Sequence, residues 1–107
     1  MALEDFLLPD EQIRLQSKTG LEFAGKGDYE FILTDKRILL YARRGLVVKK
    51  DDLVAQKLDE LHGIKYKEKG LISKKGILEI EGNRTKMDLE GPADTVKALY
   101  QQVMQFM

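Results

Sequence analysis

The stretch from Tyr29 to Tyr41 limits what this chain can fold into more than any other. Tyr29, Phe31 and Leu33 alternate with Glu30, Ile32 and Thr34. Alternation of period two in aromatic and branched residues is the signature of a strand. The polar run Thr34-Asp35-Lys36-Arg37 interrupts it, and Asp35 favours a turn because its carboxylate can bond the backbone two residues on. A return strand then runs from Arg37 to Arg43. With Asp35-Lys36 as the loop, Leu33 is expected to face Ile38, Phe31 to face Leu40, and Tyr29 to face Ala42. The opposite side carries Ile32, Leu39 and Tyr41, so the hairpin is apolar on both faces. Such a pair is either buried on both sides or presents one side to a partner. Ile32, Leu39 and Tyr41 are therefore the candidate apolar interaction face.

The rest of the chain reads around this hairpin. Its 107 residues suit one domain spanning 1–107, with 43% apolar residues, too many for a disordered chain. Eighteen basic residues balance eighteen acidic ones, so no net field draws it to nucleic acid. The absence of cysteine excludes disulfides and thiolate metal sites and points to the cytoplasm. No secretory signal is legible at the acidic N-terminus, and Asn83-Arg84-Thr85 is read as an accidental match to a glycosylation acceptor.

Residues 1–8 read as a short amphipathic helix ended by Pro9. Residues 12–18 form a first strand and 19–28, with three glycines, a loop. Leu46-Val47-Val48 briefly extends the sheet. Residues 53–58 form a weak strand, 59–63 a helical turn, and 64–69 a further strand. Residues 77–81 and 84–89 form a hairpin around a two-residue loop, Gly82-Asn83, which sets Glu81 against Arg84, Ile80 against Thr85, Glu79 against Lys86 and Leu78 against Met87. Gly91-Pro92 opens a helix over 92–107, since proline is tolerated at the first helical position. Val96, Leu99, Tyr100, Val103 and Met107 form its apolar stripe. With no second long helix, that stripe must cover the sheet. About seven short antiparallel strands followed by one helix imply a curled sheet or barrel stoppered by that helix.

Leu33-Thr34-Asp35-Lys36-Arg37-Ile38 is similar to the hairpin of the bacterial pleckstrin-homology-like domains. The frame agrees from Leu7 to Phe106, with Leu7, Glu11 and Ile13 leading into the first strand and a glycine hairpin preceding the helix. The resemblance implies a mainly β fold, a PH-like barrel of two near-orthogonal sheets capped by a C-terminal α-helix, and it implies no enzyme. Lipid-binding eukaryotic pleckstrin-homology domains carry a Lys and then a Lys/Arg-x-Arg pair in their first two strands. Lys18 and Lys26 could fill the first two places, but Asp28 stands where the Arg belongs. An acid there repels an inositol phosphate, so phosphoinositide specificity is not expected.

Six basic residues and no acid lie between 36 and 50: Lys36, Arg37, Arg43, Arg44, Lys49 and Lys50. They are the candidate patch for an anion or an acidic partner, against the alternative of ordinary charged strand edges. Lys65, Lys67, Lys69, Lys74 and Lys75 add to the basic surface. A third reading sets the acidic N-terminus (Glu4, Asp5, Asp10, Glu11) against the basic segment, within one chain or between chains, with Leu3, Phe6 and Leu7 over Ile32, Leu39 and Tyr41. Asp59, Glu60 and His62 have no metal-site spacing, and Ser17 and Ser73 have no base in a catalytic motif. Gly25-Lys26-Gly27 lacks the spacing of a phosphate cradle. No cofactor, metal or catalytic residue is expected. The expected function is a non-enzymatic interaction module that binds a protein partner or itself through a strand edge or the hairpin face. The alternative is peripheral binding to an anionic membrane surface through Arg43, Arg44, Lys49 and Lys50. An enzyme would need a pocket with convergent polar groups.

Overall fold

The computed structural model describes residues 3–44, 50–83 and 85–106, with the side chains of all but residues 3, 4, 18, 19 and 44. A single 3₁₀ turn, Leu3–Phe6, precedes strands β1 (Ile13–Phe23), β2 (Lys26–Thr34), β3 (Arg37–Arg44) and β4 (Lys50–Lys57). A second 3₁₀ turn, Leu58–Glu60, leads to β5 (Leu61–Lys69), β6 (Lys75–Gly82), β7 (Lys86–Pro92) and the helix α1 (Ala93–Phe106). Leu46-Val47-Val48, Arg84 and Met107 lie outside the described residues. The strands form one sheet in the order β4-β3-β2-β1-β7-β6-β5, with antiparallel neighbours throughout.

The central hairpin has the register its pattern predicts, with Leu33 opposite Ile38 and Phe31 opposite Leu40. One face of this hairpin joins the main core. Phe31, Leu33, Ile38 and Leu40 meet Leu78, Ile80, Met87 and Leu89 from the other end of the sheet, together with Val96, Leu99 and Val103 from α1. Strands far apart in the sheet order share one core because the sheet curls over on itself. β1 is the joint: it pairs with β2 from Ile13 to Phe23, while only Glu22 and Phe23, at its end, also pair with β7, and its register against β2 shifts repeatedly along the way. Irregularities of this kind bend and twist a strand.

The sheet does not close by strand pairing, so the expected barrel is replaced by an open sheet with β4 and β5 as its edges. The gap is bridged near one end instead. The Thr85 hydroxyl donates to the Gln56 side chain, and the Asn83 N–H donates to the Glu60 carbonyl at 3.0 Å. Gly82 lies under Gln56, where an added Cβ would come within 2.6 Å of Nε2.

Several local expectations change. The helix expected over 1–8 is, among the described residues, only the 3₁₀ turn Leu3–Phe6, and Pro92 ends β7, so that the helix begins at Ala93. The loop over 19–28 is instead the continuation of β1 and β2, turning only at Ala24-Gly25, where both φ angles are positive (54° and 80°). Two left-handed residues match the twist of the flanking strands. Phe23 then sits edge-on to Tyr29, with ring centroids 5.7 Å apart. The helical turn at 59–63 ends early, and Leu61 already belongs to β5. The last hairpin has a longer loop, closed by the Gly82 N–H donating to Thr85 O at 2.8 Å. Its register is therefore displaced by two: Glu81 faces Lys86, Ile80 faces Met87 and Leu78 faces Leu89. A shift of two leaves every side chain on its expected face, and it places apolar residues opposite both Leu78 and Ile80.

The helix buries Ala93, Val96, Leu99 and Val103 against the sheet. Gly76 makes room for it, since a Cβ there would lie 2.8 Å from Val96 Cβ. The Tyr66 hydroxyl fixes its start by donating to Ala93 O at 3.1 Å. Each large side chain removed from water on this face contributes roughly 1.5–3 kcal/mol.

Candidate functional site

The turn Thr34–Arg37 holds the N-terminal segment in place. Glu11 is buried, and its carboxylate takes four hydrogen bonds. Oε1 accepts from Arg37 Nη2 at 2.7 Å and the Leu8 N–H at 2.8 Å, and Oε2 from Arg37 Nε at 3.0 Å and the Thr34 hydroxyl at 2.6 Å. Arg37 Nη2 also donates to Phe6 O at 2.9 Å. The Thr34 oxygen in turn accepts from the Lys36 and Arg37 N–H groups, which rounds off the turn. Asp35 and Gln12 exchange two bonds, and Lys36 Nζ reaches Pro9 O at 3.1 Å. The hydrogen bonds from Arg37, ahead of those from Leu8 and Thr34, outweigh burial and hold the Glu11 carboxyl down at about 2.

This clamp lays the N-terminus over the second face of the hairpin. Ile32, Leu39 and Tyr41 are buried, packed under Phe6, Leu7 and Leu53. The Phe6 and Tyr41 rings lie 6.0 Å apart. The candidate apolar face is thus covered from within the chain. The side chains of Leu3 and Glu4 lie outside the described residues.

The candidate basic patch is divided. Arg37 is held by Glu11, and Lys36 is exposed beside Pro9. Arg43 lies six residues farther along β3, about 20 Å away, and its Nε is 3.8 Å from Asp51. Lys50 is exposed at the same end. Lys49 and the side chain of Arg44 lie outside the described residues, as does that of Lys18. Lys67 joins Lys86 around Glu79, at 2.8 and 3.5 Å, in a charge row across β5, β6 and β7. The Lys67 hydrogen bond is the main cause of a lowered Glu79 pKa.

His62, Asp59 and Glu60 are exposed, and among the described residues no three His, Cys, Asp or Glu side chains are gathered for a metal. A groove of about 470 Å³ runs along Gly20–Glu22, Gly27-Asp28, Ser73–Lys75 and Glu90–Pro92. Its charged groups carry both signs, and Glu90 is engaged by Lys69 at 3.0 Å.

Two features were not singled out from sequence. One is the β4 edge. Its pairing with β3 is unbroken from Arg37/Lys57 to Arg44/Lys50, so its other side is straight. The centre of this edge, Leu53-Val54-Ala55, carries no charge, proline or bulge, the usual means of blunting an edge. β5, by contrast, has a register shift and a row of charges. The other feature is the loop after β5, where Leu71 and Ile72 are 100% and 99% exposed. Both residues belong to a short run that periodicity cannot place.

No family model, curated protein or solved structure matches this chain. Among the described residues no helix is long and apolar enough to cross a membrane.

Proposed function

We propose that the chain is a non-enzymatic, cytoplasmic interaction module of the pleckstrin-homology-like kind, and that the open edge of β4 is its contact, taken by a second copy of itself. The strand order supports the family reading. β1–β4 and β5–β7 are the two halves that crossed sheets would require, and α1 packs against them.

The observation that carries the function is the unprotected centre of β4. Edge addition supplies backbone hydrogen bonds without a pocket. Antiparallel self-pairing centred on Val54 sets Asp51 against Lys57 twice and Leu53 against Ala55 twice. All four residues are alternate positions on one face, the face of Leu39 and Tyr41. Charges of opposite sign then flank an apolar middle, and the covered patch under Phe6 and Leu7 continues across the junction.

An eight-residue edge buries less than a standard interface, so the dimer is expected to form at concentrations on the order of 100 µM. Light scattering across that range should show monomer passing to dimer. Lys57→Glu, at an exposed position, sets like charges opposite and should weaken the dimer roughly tenfold while leaving the melting temperature unchanged. A monomer at all concentrations, or a dimer insensitive to Lys57→Glu, contradicts the proposal.

A further inference from the structure

We infer that the β5–β6 loop, residues 70–74, is an insertion tip for an anionic lipid surface, independent of the β4 edge. Leu71 and Ile72 stand wholly in water at its end. The tip is built, not frayed. Gly70 has φ +105°, and a Cβ there would come within 2.4 Å of Ser73 O, so the turn that projects the two side chains requires glycine. The base is tied down, with Lys69 opposite Lys75 in the ladder and the Ala93 N–H donating to Lys74 O at 3.3 Å.

Charge selects the occupant. Lys69, Lys74 and Lys75 ring the base and are all exposed. Lys69 leans on Glu90, while Lys74 and Lys75 make no ion pair with any described residue. Glu68 is exposed as well and lies opposite Gly76, and Glu22, Asp28 and Glu90 line the groove beside Lys74 and Lys75, a groove that Leu71 and Ile72 do not line. Two apolar side chains standing clear of the body are too small a surface for a specific protein interface, which buries about 800 Å² per partner. A bilayer requires less: apolar groups that reach the acyl boundary and cations at headgroup depth, whose attraction for anionic lipid falls off within a Debye length. Recognition is by charge and depth, without a headgroup pocket.

The chain has no tryptophan, so Leu71→Trp gives a reporter at the tip alone. With vesicles of phosphatidylcholine and phosphatidylglycerol at low salt, its emission should shift to the blue and be quenched by lipids brominated in the acyl chain. Pure phosphatidylcholine vesicles should give little change. In the otherwise unaltered chain, Leu71→Ser with Ile72→Ser, and separately Lys74→Glu with Lys75→Glu, should each reduce vesicle partitioning tenfold or more, and Lys57→Glu should leave it unchanged. No blue shift with anionic vesicles at low salt overturns the inference. So does partitioning that survives the Leu71/Ile72 double substitution. A blue shift without lipid that grows with protein concentration also overturns it, because the tip would then be covered by protein.

Discussion

Glu11 decides more at the scale of single residues than its place in the sequence suggests. It stands among four acids near the N-terminus, and it is buried and bonded to Arg37, Thr34 and Leu8. Removing one partner leaves the other desolvated and unpaired. Glu11→Ala is therefore expected to cost about 2–4 kcal/mol and to lower the melting temperature by roughly 10 °C or more, as measured by thermal unfolding. Thr34→Val removes the hydroxyl that serves both Glu11 and the turn, and should cost about 1–3 kcal/mol; Thr34→Ser should restore most of it. The acid dependence has a definite sign. The folded state holds the Glu11 carboxyl at about 2, against 4.5 for an ordinary glutamate, so the unfolded chain takes up the proton first as pH falls. The contribution of Glu11 is complete above about pH 5 and is lost as pH drops towards 2. Urea midpoints of the native chain and Glu11→Gln should differ most at neutral pH and converge at the acid end. The sequence showed the opposite charges of the two segments but not which pair would meet, because burial and bidentate geometry depend on how residues 6–12 cross the hairpin.

Legibility at the scale of elements followed the strength of alternation. Residues 29–41 are two apolar runs about a single polar turn, and the position of that turn gave the pairing of Leu33 with Ile38 and Phe31 with Leu40. The hairpin over 77–89 also alternates, but a shift of two preserves the pattern, so the faces were legible and the loop length was not. The glycines between 19 and 28 look like a loop because glycine is a poor strand former; here Gly25 shapes a two-residue turn and Gly20 permits close backbone approach, since a Cβ there would lie 3.1 Å from Asp28 Cα. The helix stripe was legible at Val96, Leu99 and Val103. Leu99→Ala should cost about 2–5 kcal/mol by removing a buried side chain. Gly76→Ala should destabilise by forcing the helix off β6, an outcome that urea unfolding of the two variants would check. The site was less legible than the fold. Ile32, Leu39 and Tyr41 show as apolar in sequence, but only the path of the N-terminus shows that they are covered.

The whole molecule is a curled open sheet with two unlike edges. Its hairpin is enclosed on both sides, by the main core and by the N-terminal segment, while among the described residues the β4 edge and the β5–β6 tip stay open to solvent. The clamp and the edge share a face, since Leu53, at the proposed junction, packs against the same Ile32, Leu39 and Tyr41 cluster as Phe6 and Leu7. Loosening the N-terminus should therefore weaken self-association as well as stability. Phe6→Ala, read by light scattering at matched temperature below unfolding, is expected to lower the dimer fraction. The most direct test of the account is amide hydrogen exchange at several protein concentrations. Residues 29–41 should be strongly protected at every concentration, while protection of the outward amides of 50–57 should rise as concentration increases. Exchange over 50–57 that ignores concentration, or rapid exchange over 29–41, would contradict it.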